Sequence, residues 1–333
     1  MTDSLSQALI DAVPRLWGGA EYDGGLVKLA GGASQECWRF AANRGGDSVS
    51  LVLRRVPALS RKKQGLKPRI DLPTEAVAMS AAAAAGAPLP RVHWNTGAED
   101  PLGASLCMDW LDGETVGHRI LRDPALADIR PDLPRQCGTA LARIHAASVE
   151  KLGALPTIDA AARLEVLSRL HHGHPGHRPV FDLALTWLER NLPDPGQVRL
   201  VHGDFRTGNL MVGPDGLRAI LDWELAHLGD PMEDLGWFCV GSWRFGQIDK
   251  PAGGFGSRED LFAAYEAAGG QAVDPERVRF WEVMGTLRWG LDCVEFAEEF
   301  RRGDRTVERA AIGRRTSETE IDLLRLILPR ARK

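Results

Sequence analysis

Between residues 198 and 224 the chain alternates short apolar runs with polar turns, and it ends on two carboxylates. Residues 198–201 and 210–212 flank the polar stretch His202-Gly203-Asp204-Phe205-Arg206-Thr207-Gly208-Asn209. After a Pro214-Asp215-Gly216 turn, a third apolar run over residues 217–221 delivers Asp222-Trp223-Glu224. Runs this short, bounded by Gly, Pro, Asn and Asp, read as strands joined by tight connections. The pattern therefore places Asp204, Asn209 and Asp222 at the mouths of apolar-anchored strands, where a rigid scaffold can hold them together.

Two carboxylates and a carboxamide so placed suit phosphoryl transfer. One carboxylate meets an acceptor hydroxyl, while a carbonyl oxygen and the second carboxylate hold the metal that bridges the phosphates. Each residue alone is more simply a turn former. Only the combined spacing points to chemistry.

The 333 residues suffice for two subdomains and a sizeable core. A net charge of −4 and a pI near 6.2 provide no global attraction to nucleic acid or an anionic membrane. Residues 1–6 lack the basic and apolar segments of an export signal, and no apolar run approaches bilayer length. Both features predict a cytoplasmic protein without membrane association. No protein partner is implied. Cys37, Cys107, Cys137, Cys239 and Cys293 are scattered, without a C-x-x-C pair, and read as reduced core residues.

Along the chain, residues 4–17 have helical apolar spacing and predict a short docking helix stopped by Gly18-Gly19. Strand-like runs at 26–29, 36–40 and 49–54 predict an antiparallel meander. The small-residue turn at 30–35 has backbone amides and a Ser34 hydroxyl that could approach phosphates, or it is a plain hairpin turn. Alternation puts Val52 and Arg54 on one face of the third strand. After a basic loop to Arg69, an alanine-rich helix opens at Asp71-Leu-Pro-Thr-Glu75 and closes at Gly86, with Asp71 or Thr74 as its cap. Residues 106–111 form the last strand of the sheet.

From Val116 onward the composition turns helical. Residues 134–149 predict an amphipathic core helix whose His145 is a packing residue. The histidines of 171–177 sit in a Gly- and Pro-containing segment that reads as a loop, with zinc binding a minor alternative. Further helices are expected at 182–191, after an Asp230 cap, and at 260–268, 275–299 and 307–328. Arg244, and Arg288 with Trp289 among apolar neighbours, are candidate substrate contacts, because a buried arginine needs either a structural carboxylate or an anionic ligand.

His202-Gly203-Asp204, Asn209 five residues beyond the aspartate, and Asp222-x-Glu224 resemble the motifs of the aminoglycoside phosphotransferase and choline kinase group, relatives of the protein kinases. The resemblance implies an α+β, bilobal protein-kinase-like fold: an N-terminal nucleotide-binding lobe over residues 1–111 and a C-terminal catalytic and substrate lobe over 112–333. It implies ATP and Mg2+ as cofactors. Asp204 would be the catalytic carboxylate, and Asn209, Asp222 and Glu224 the metal ligands. Arg206 would neutralise the transferring phosphoryl group. Arg54 would replace the usual lysine on the α/β-phosphates, either paired with Glu75 or with Glu75 left as a helix-dipole partner. Met108 would sit behind adenine, and the backbone of Asp109 to Leu111 would face it.

Asp112-Gly-Glu-Thr115, Gln136-Cys-Gly, Ala142-Arg-Ile-His145, Ser242-Trp-Arg-Phe-Gly246 and Gly313-Arg-Arg315 look like a bacterial branch similar to the kinase domain fused to some acyl-CoA dehydrogenases. Members of that branch with assigned activity phosphorylate hydroxyacyl-CoA esters. The expected function is ATP-dependent phosphorylation of a small hydroxylated molecule, possible acceptors including a hydroxyacyl-CoA or an aminoglycoside. A nucleotide-binding pseudokinase is the rival class, and the presence of Asp204, Asn209 and Asp222 tells against it.

Overall fold

The computed structural model describes residues 2–29, 35–56 and 69–328. Ser34 and the basic residues Arg61, Lys62, Lys63 and Lys67 lie outside the described residues. The chain opens with helix α1 (Thr2–Leu16), then β1 (Ala20–Lys28), β2 (Glu36–Arg44), β3 (Asp47–Arg55), helix α2 (Leu72–Ala84), β4 (Val92–Thr96) and β5 (Ser105–Asp109). The strands form one five-stranded antiparallel sheet in the order β1-β2-β3-β5-β4.

Strand alternation sorts the sheet into two faces. Trp38, Phe40, Leu51, Leu53 and Cys107 pack with Leu5, Leu9 and Val13 of α1 in one core cluster. Leu106 and Met108 join Leu72, Ala76 and Met79 of α2 in the cluster that continues into the rest of the molecule. Fully burying a side chain such as Leu9 or Leu51 contributes about 1.5–3 kcal/mol, which is why α1 docks on this face. The strands run longer than the apolar signal suggests. Ala20 pairs with Arg44, and Arg44 with Asp47, so polar ends with no hydrophobic signature are carried into the ladder by their partners.

The second lobe holds α3 (Gly117–Ile120), α4 (Leu133–His145), α5 (Ala160–Gly173) and α6 (Pro179–Arg190). Then come β6 (Arg199–Val201), β7 (Leu210–Gly213), β8 (Gly216–Ile220) and β9 (His227–Gly229). The chain ends with α7 (Met232–Phe238), α8 (Arg258–Ala267), α9 (Pro275–Arg301), α10 (Val307–Gly313) and α11 (Thr316–Ile327). An antiparallel sheet lobe with one interior helix, followed by a mostly helical lobe, is the bilobal kinase-like plan. Among the described residues no helix is long and apolar enough to cross a membrane.

Several local expectations need correction. The predicted helix over 307–328 is two helices. Gly313 lies so close to α9 that an added Cβ would sit 2.9 Å from Ala297 Cα, and Thr316 Oγ1 donates to the Gly313 carbonyl at 3.0 Å. The histidine-rich segment is only partly a loop. His171 and His172 lie in the last turn of α5, where Leu164, Leu167 and His171 form its buried stripe and His171 Nε2 meets Asp182 Oδ1 at 2.7 Å. Helix α7 begins one residue later than an Asp230 cap would place it. Asp230 still accepts from the Met232 amide at 3.0 Å, and its other oxygen takes Arg277 and Trp281. Asp71, in contrast, does cap α2, accepting from the Thr74 amide at 2.9 Å.

Candidate active site

The strands β6, β7 and β8 form where the apolar runs predict them, but β6 does not pair with β7. It pairs with β9, while β7 and β8 make the hairpin. The polar stretch 202–209 is therefore a loop suspended between two small sheets. His202 has no exposure, and burial lowers its pKa below the ordinary imidazole value. The Asp204 amide donates to its Nδ1 at 3.2 Å, and its Nε2 lies 3.1 Å from the Leu221 carbonyl. The ring is thus neutral with its proton on Nε2, a strut between loop and hairpin. Both oxygens of buried Asp234 hold the same loop, through the amides of His202 (2.8 Å) and Gly203 (2.9 Å). His145 Nε2 meets Asp234 at 3.1 Å and its Nδ1 meets the Tyr265 hydroxyl at 2.9 Å, a packing role within the core.

Gly203 has φ +77, and a Cβ there would lie 2.4 Å from the Leu225 carbonyl oxygen. Only glycine fits. The chain reversal it permits presents Asp204, whose Oδ2 accepts from Asn209 Nδ2 at 2.8 Å and whose Oδ1 accepts from Trp237 Nε1 at 2.9 Å. Arg206 Nε lies 3.3 and 3.2 Å from the two oxygens, and its guanidinium covers the Trp243 ring at 5.1 Å. Asn209 spends its NH2 group on Asp204, both carboxylate and carbonyl, which leaves its carbonyl oxygen as the group available outward. Trp237 is a contact the sequence reading missed. Its signal was its place three residues after Asp234 on α7, which puts both on one helix face.

Asp222 adopts φ +64, a left-handed conformation that Asp tolerates better than most residues. Its half-exposed carboxylate faces the interlobe cleft, while the next residue, Trp223, is fully buried and donates its indole N–H to the Ile220 carbonyl at 3.1 Å. From the sheet lobe, Arg54 forms an ion pair with Glu75, donates to Gln35 Oε1 at 2.8 and 3.1 Å, and lies 3.9 Å from Asp222. Burial works against the Arg54 charge, but Glu75 and Asp222 raise its pKa overall. Burial raises the Glu75 pKa, and Arg54 opposes that. Of the two readings of Glu75, the geometry selects the pair.

Glu224 pairs with Arg69 at 3.1 Å. Burial, then the neighbouring Asp222, push its carboxyl up to about 7, with Arg69 and Arg54 pulling the other way. Arg54, Met108, Asp109, Leu111, Asp222 and Glu224 all line one cavity of about 480 Å3 between the lobes. Trp110, the residue after β5, also lines it, donates to Asp112 at 2.9 Å and carries Arg39 on its ring at 4.5 Å.

The three candidate substrate contacts do not join that cleft. Arg244 donates to the Cys239 carbonyl and to buried Glu282 at 2.9 Å. Arg288 donates to the Gly203 carbonyl at 3.0 Å, stacks on Trp237 at 3.6 Å and lies 3.5 Å from Glu233. Trp289 packs on Trp243, their centroids 5.0 Å apart. Arg244 is thus met by the Cys239 carbonyl five residues back and by distant Glu282, and Arg288 by the distant Gly203 carbonyl and Glu233.

The oxygen donors present fit a hard divalent cation, since Asp222, Glu224 and the Asn209 carbonyl are the ligand types such an ion takes. Comparison with known proteins agrees with the geometry. Probable acyl-CoA dehydrogenase IBR3 of Arabidopsis thaliana is 31% identical over 153 residues, which is 40% of this chain and 18% of that protein. The chain thus spans less than a fifth of that relative's length. An aminoglycoside phosphotransferase-like protein of Ralstonia eutropha has the same fold over 98% of both chains, with a TM-score of 0.75 at 19% identity. Aminoglycoside phosphotransferase APH(4)-Ia, solved as a ternary complex with ADP and hygromycin B, matches over 97% of this chain and 99% of its own, with a TM-score of 0.60 at 15% identity. At such identities the likeness is one of fold. The model of the phosphotransferase enzyme family, however, matches the sequence over residues 25–281, and the chain belongs to that family of small-molecule kinases.

Proposed function

We propose that the protein transfers the terminal phosphoryl group of ATP to a hydroxyl of a small molecule, with hydroxyacyl-CoA esters as the acceptor class. The observation that carries the reaction is the presence of two sets of groups, joined where the Asn209 backbone carbonyl accepts from the amide of cavity-lining Leu221 at 2.8 Å. Arg54, Asp222 and Glu224 line the interlobe cavity, and Asp204 with Asn209 stands hydrogen-bonded on the loop that leads to it.

Asp204 is the acceptor-side group. Trp237, Arg206 and Asn209 fix its carboxylate in one orientation, so it can accept a hydrogen bond from the substrate hydroxyl and take that proton as the oxygen bonds to phosphorus. Arg206 lies beside Asp204 with a partly exposed guanidinium and can meet charge on the phosphoryl oxygens. Arg54, oriented by Glu75 and Gln35, is aimed at the inner phosphates. Met108 and the backbone from Asp109 to Leu111 form the adenine wall. Asn209, Asp222 and Glu224 would hold Mg2+, which would supply positive charge against the phosphates.

The acceptor class rests on two supports. One is the similarity to an acyl-CoA dehydrogenase relative. The other is local charge. The approach to Asp204 carries Arg206 stacked on Trp243, which suits an anionic or neutral acceptor better than the polycation an aminoglycoside presents. Mass spectrometry of reactions containing Mg-ATP with a panel of hydroxyacyl-CoA esters and aminoglycosides tests this. Phosphorylated ester is the expected product. Turnover of kanamycin-like compounds with none of the esters would refute the acceptor, and no phosphorylated product from any hydroxylated metabolite would refute the reaction.

A further inference from the structure

Asp204, Arg206, Trp243 and Trp237 close a ring of contacts. Arg206 Nε reaches Asp204, and the Arg206 guanidinium covers the Trp243 ring at 5.1 Å. Trp243 packs on Trp237 with centroids 5.0 Å apart, and Trp237 returns to Asp204 through its indole N–H. The members differ in how firmly they are held. Trp237 is 2% exposed on α7, and Trp243, 5% exposed, is wedged between Trp237 and Trp289. The Arg206 side chain keeps 28% of its surface exposed. Glycine at 208 leaves it room, since a Cβ there would run into the guanidinium. Two fixed rings thus frame a cation that can turn.

The arrangement bears on how Asp204 meets an acceptor. An ionised carboxylate has about four acceptor positions. Asn209 takes one on Oδ2 and Trp237 one on Oδ1, while Arg206 Nε straddles the two oxygens at 3.3 and 3.2 Å. A substrate hydroxyl therefore competes for the edge that Arg206 covers. Asn209 and Trp237 are buried donors, and releasing either would strand it. Arg206 leaves at the least cost, because water reaches its guanidinium. A cation gives up a carboxylate most readily for another anion, and a phosphoryl group is one.

We propose that Arg206 exchanges Asp204 for the phosphoryl oxygens of bound ATP as the acceptor hydroxyl arrives, and that Trp243 is the positioning residue that holds the guanidinium through this exchange. The proposal rests on the assignment of Asp204 to the acceptor side. The Trp243 ring attracts the guanidinium through its face, which leaves the N–H groups in the guanidinium plane free for either anion. Trp243 therefore supports Arg206 in both positions and competes with neither partner.

NMR of arginine Nε–H groups on the full chain tests the exchange without any acceptor, the Arg206 signal being the one lost in Arg206→Met. Mg-AMP-PNP should move that signal, and an unmoved signal would overturn the exchange whatever the protein phosphorylates. A moved signal in a protein that turns over no hydroxyacyl-CoA ester would fault the acceptor class and support the exchange. With such an ester as acceptor, the two single variants should shift its KM in opposite directions. Arg206→Met uncovers Asp204, so acceptor KM should fall while kcat drops by roughly 10²–10³-fold. Trp243→Leu leaves Arg206 on Asp204, so acceptor KM should rise and kcat drop about tenfold, the size of one cation–π contact. KM for ATP should stay near wild type in Trp243→Leu. Trp243→Phe keeps a ring, should fall between wild type and Trp243→Leu, and replaces it in the cycle if the leucine variant does not fold. Added to Arg206→Met, either Trp243 substitution should change kcat no further. An equal loss of kcat in both backgrounds, or a raised acceptor KM in Arg206→Met, would overturn the proposal.

Discussion

One carboxylate oxygen of Glu75 serves both lobes, accepting from Arg54 in the sheet and, at 3.3 Å, from the backbone amide of Trp223 beside the metal-ligand candidates. Helix α2 is therefore tied to the Asp222 loop through the same atom that orients the phosphate-site cation. The neighbouring contacts reinforce the link, since Ile70 donates to the Glu224 carbonyl at 3.0 Å and Ile220 to the Pro88 carbonyl at 3.0 Å.

This shared oxygen predicts coupling between Arg54 and Glu75. In a double-mutant cycle on ATP affinity, Arg54→Gln and Glu75→Gln should be non-additive by well over 0.5 kcal/mol, roughly the scale of additivity error. Single Glu75→Ala should also lower stability, by less than the roughly 3–5 kcal/mol of a fully stranded buried charge, because Gln35 and Asp222 still meet Arg54. Additive effects in calorimetry would dismiss the pair as a functional unit.

Asp204→Asn preserves the shape of the side chain but removes the proton acceptor. Turnover should fall by about 10²–10⁴-fold, the usual range for a positioned acid–base group, while nucleotide affinity stays close to wild type. Weaker ATP binding with intact turnover would assign Asp204 elsewhere.

Asp222→Asn isolates charge from conformation, because Asn also tolerates the left-handed backbone that this position adopts. Nucleotide affinity should drop with Mg2+ present and change little without it. Identical Mg-ATP binding isotherms for the two proteins would remove Asp222 from the metal site.

Acid sensitivity should concentrate at Glu233. Burial acts to raise its pKa, but Arg163, His227 and Arg288 outweigh burial and bring it from 4.5 to about 2. A carboxyl depressed in the folded state stabilises fully above its unfolded value and loses that contribution as pH falls through the folded value. The loss, about 3 kcal/mol, should thus develop from near pH 4.5 down to pH 2. Glu233→Gln should be less stable at neutral pH and show a flatter stability profile over that window. An unchanged slope in denaturant titrations at those pH values would show that Glu233 is not the group responsible.

Local sequence alone determined the strand-loop-hairpin around Asp204, Asn209 and Asp222, the alternation that puts Arg54 on one face with Val52, and the start of α2 at a cap that is Asp71 or Thr74. Each of these depends on residues within a few positions of one another, where periodicity and turn chemistry act directly. The pairing of β6 with β9, the split between α10 and α11, and the bonds of Trp237 to Asp204 and Gln35 to Arg54 were decided only in the folded chain. So were the partners of Arg244 and Arg288. Glu282 lies 38 positions beyond Arg244, and Gly203 lies 85 positions before Arg288. A buried arginine announces that it needs an anion or a carbonyl, because desolvating an unpaired charge is prohibitive. Which group meets it depends on helix packing, and no local pattern encodes that.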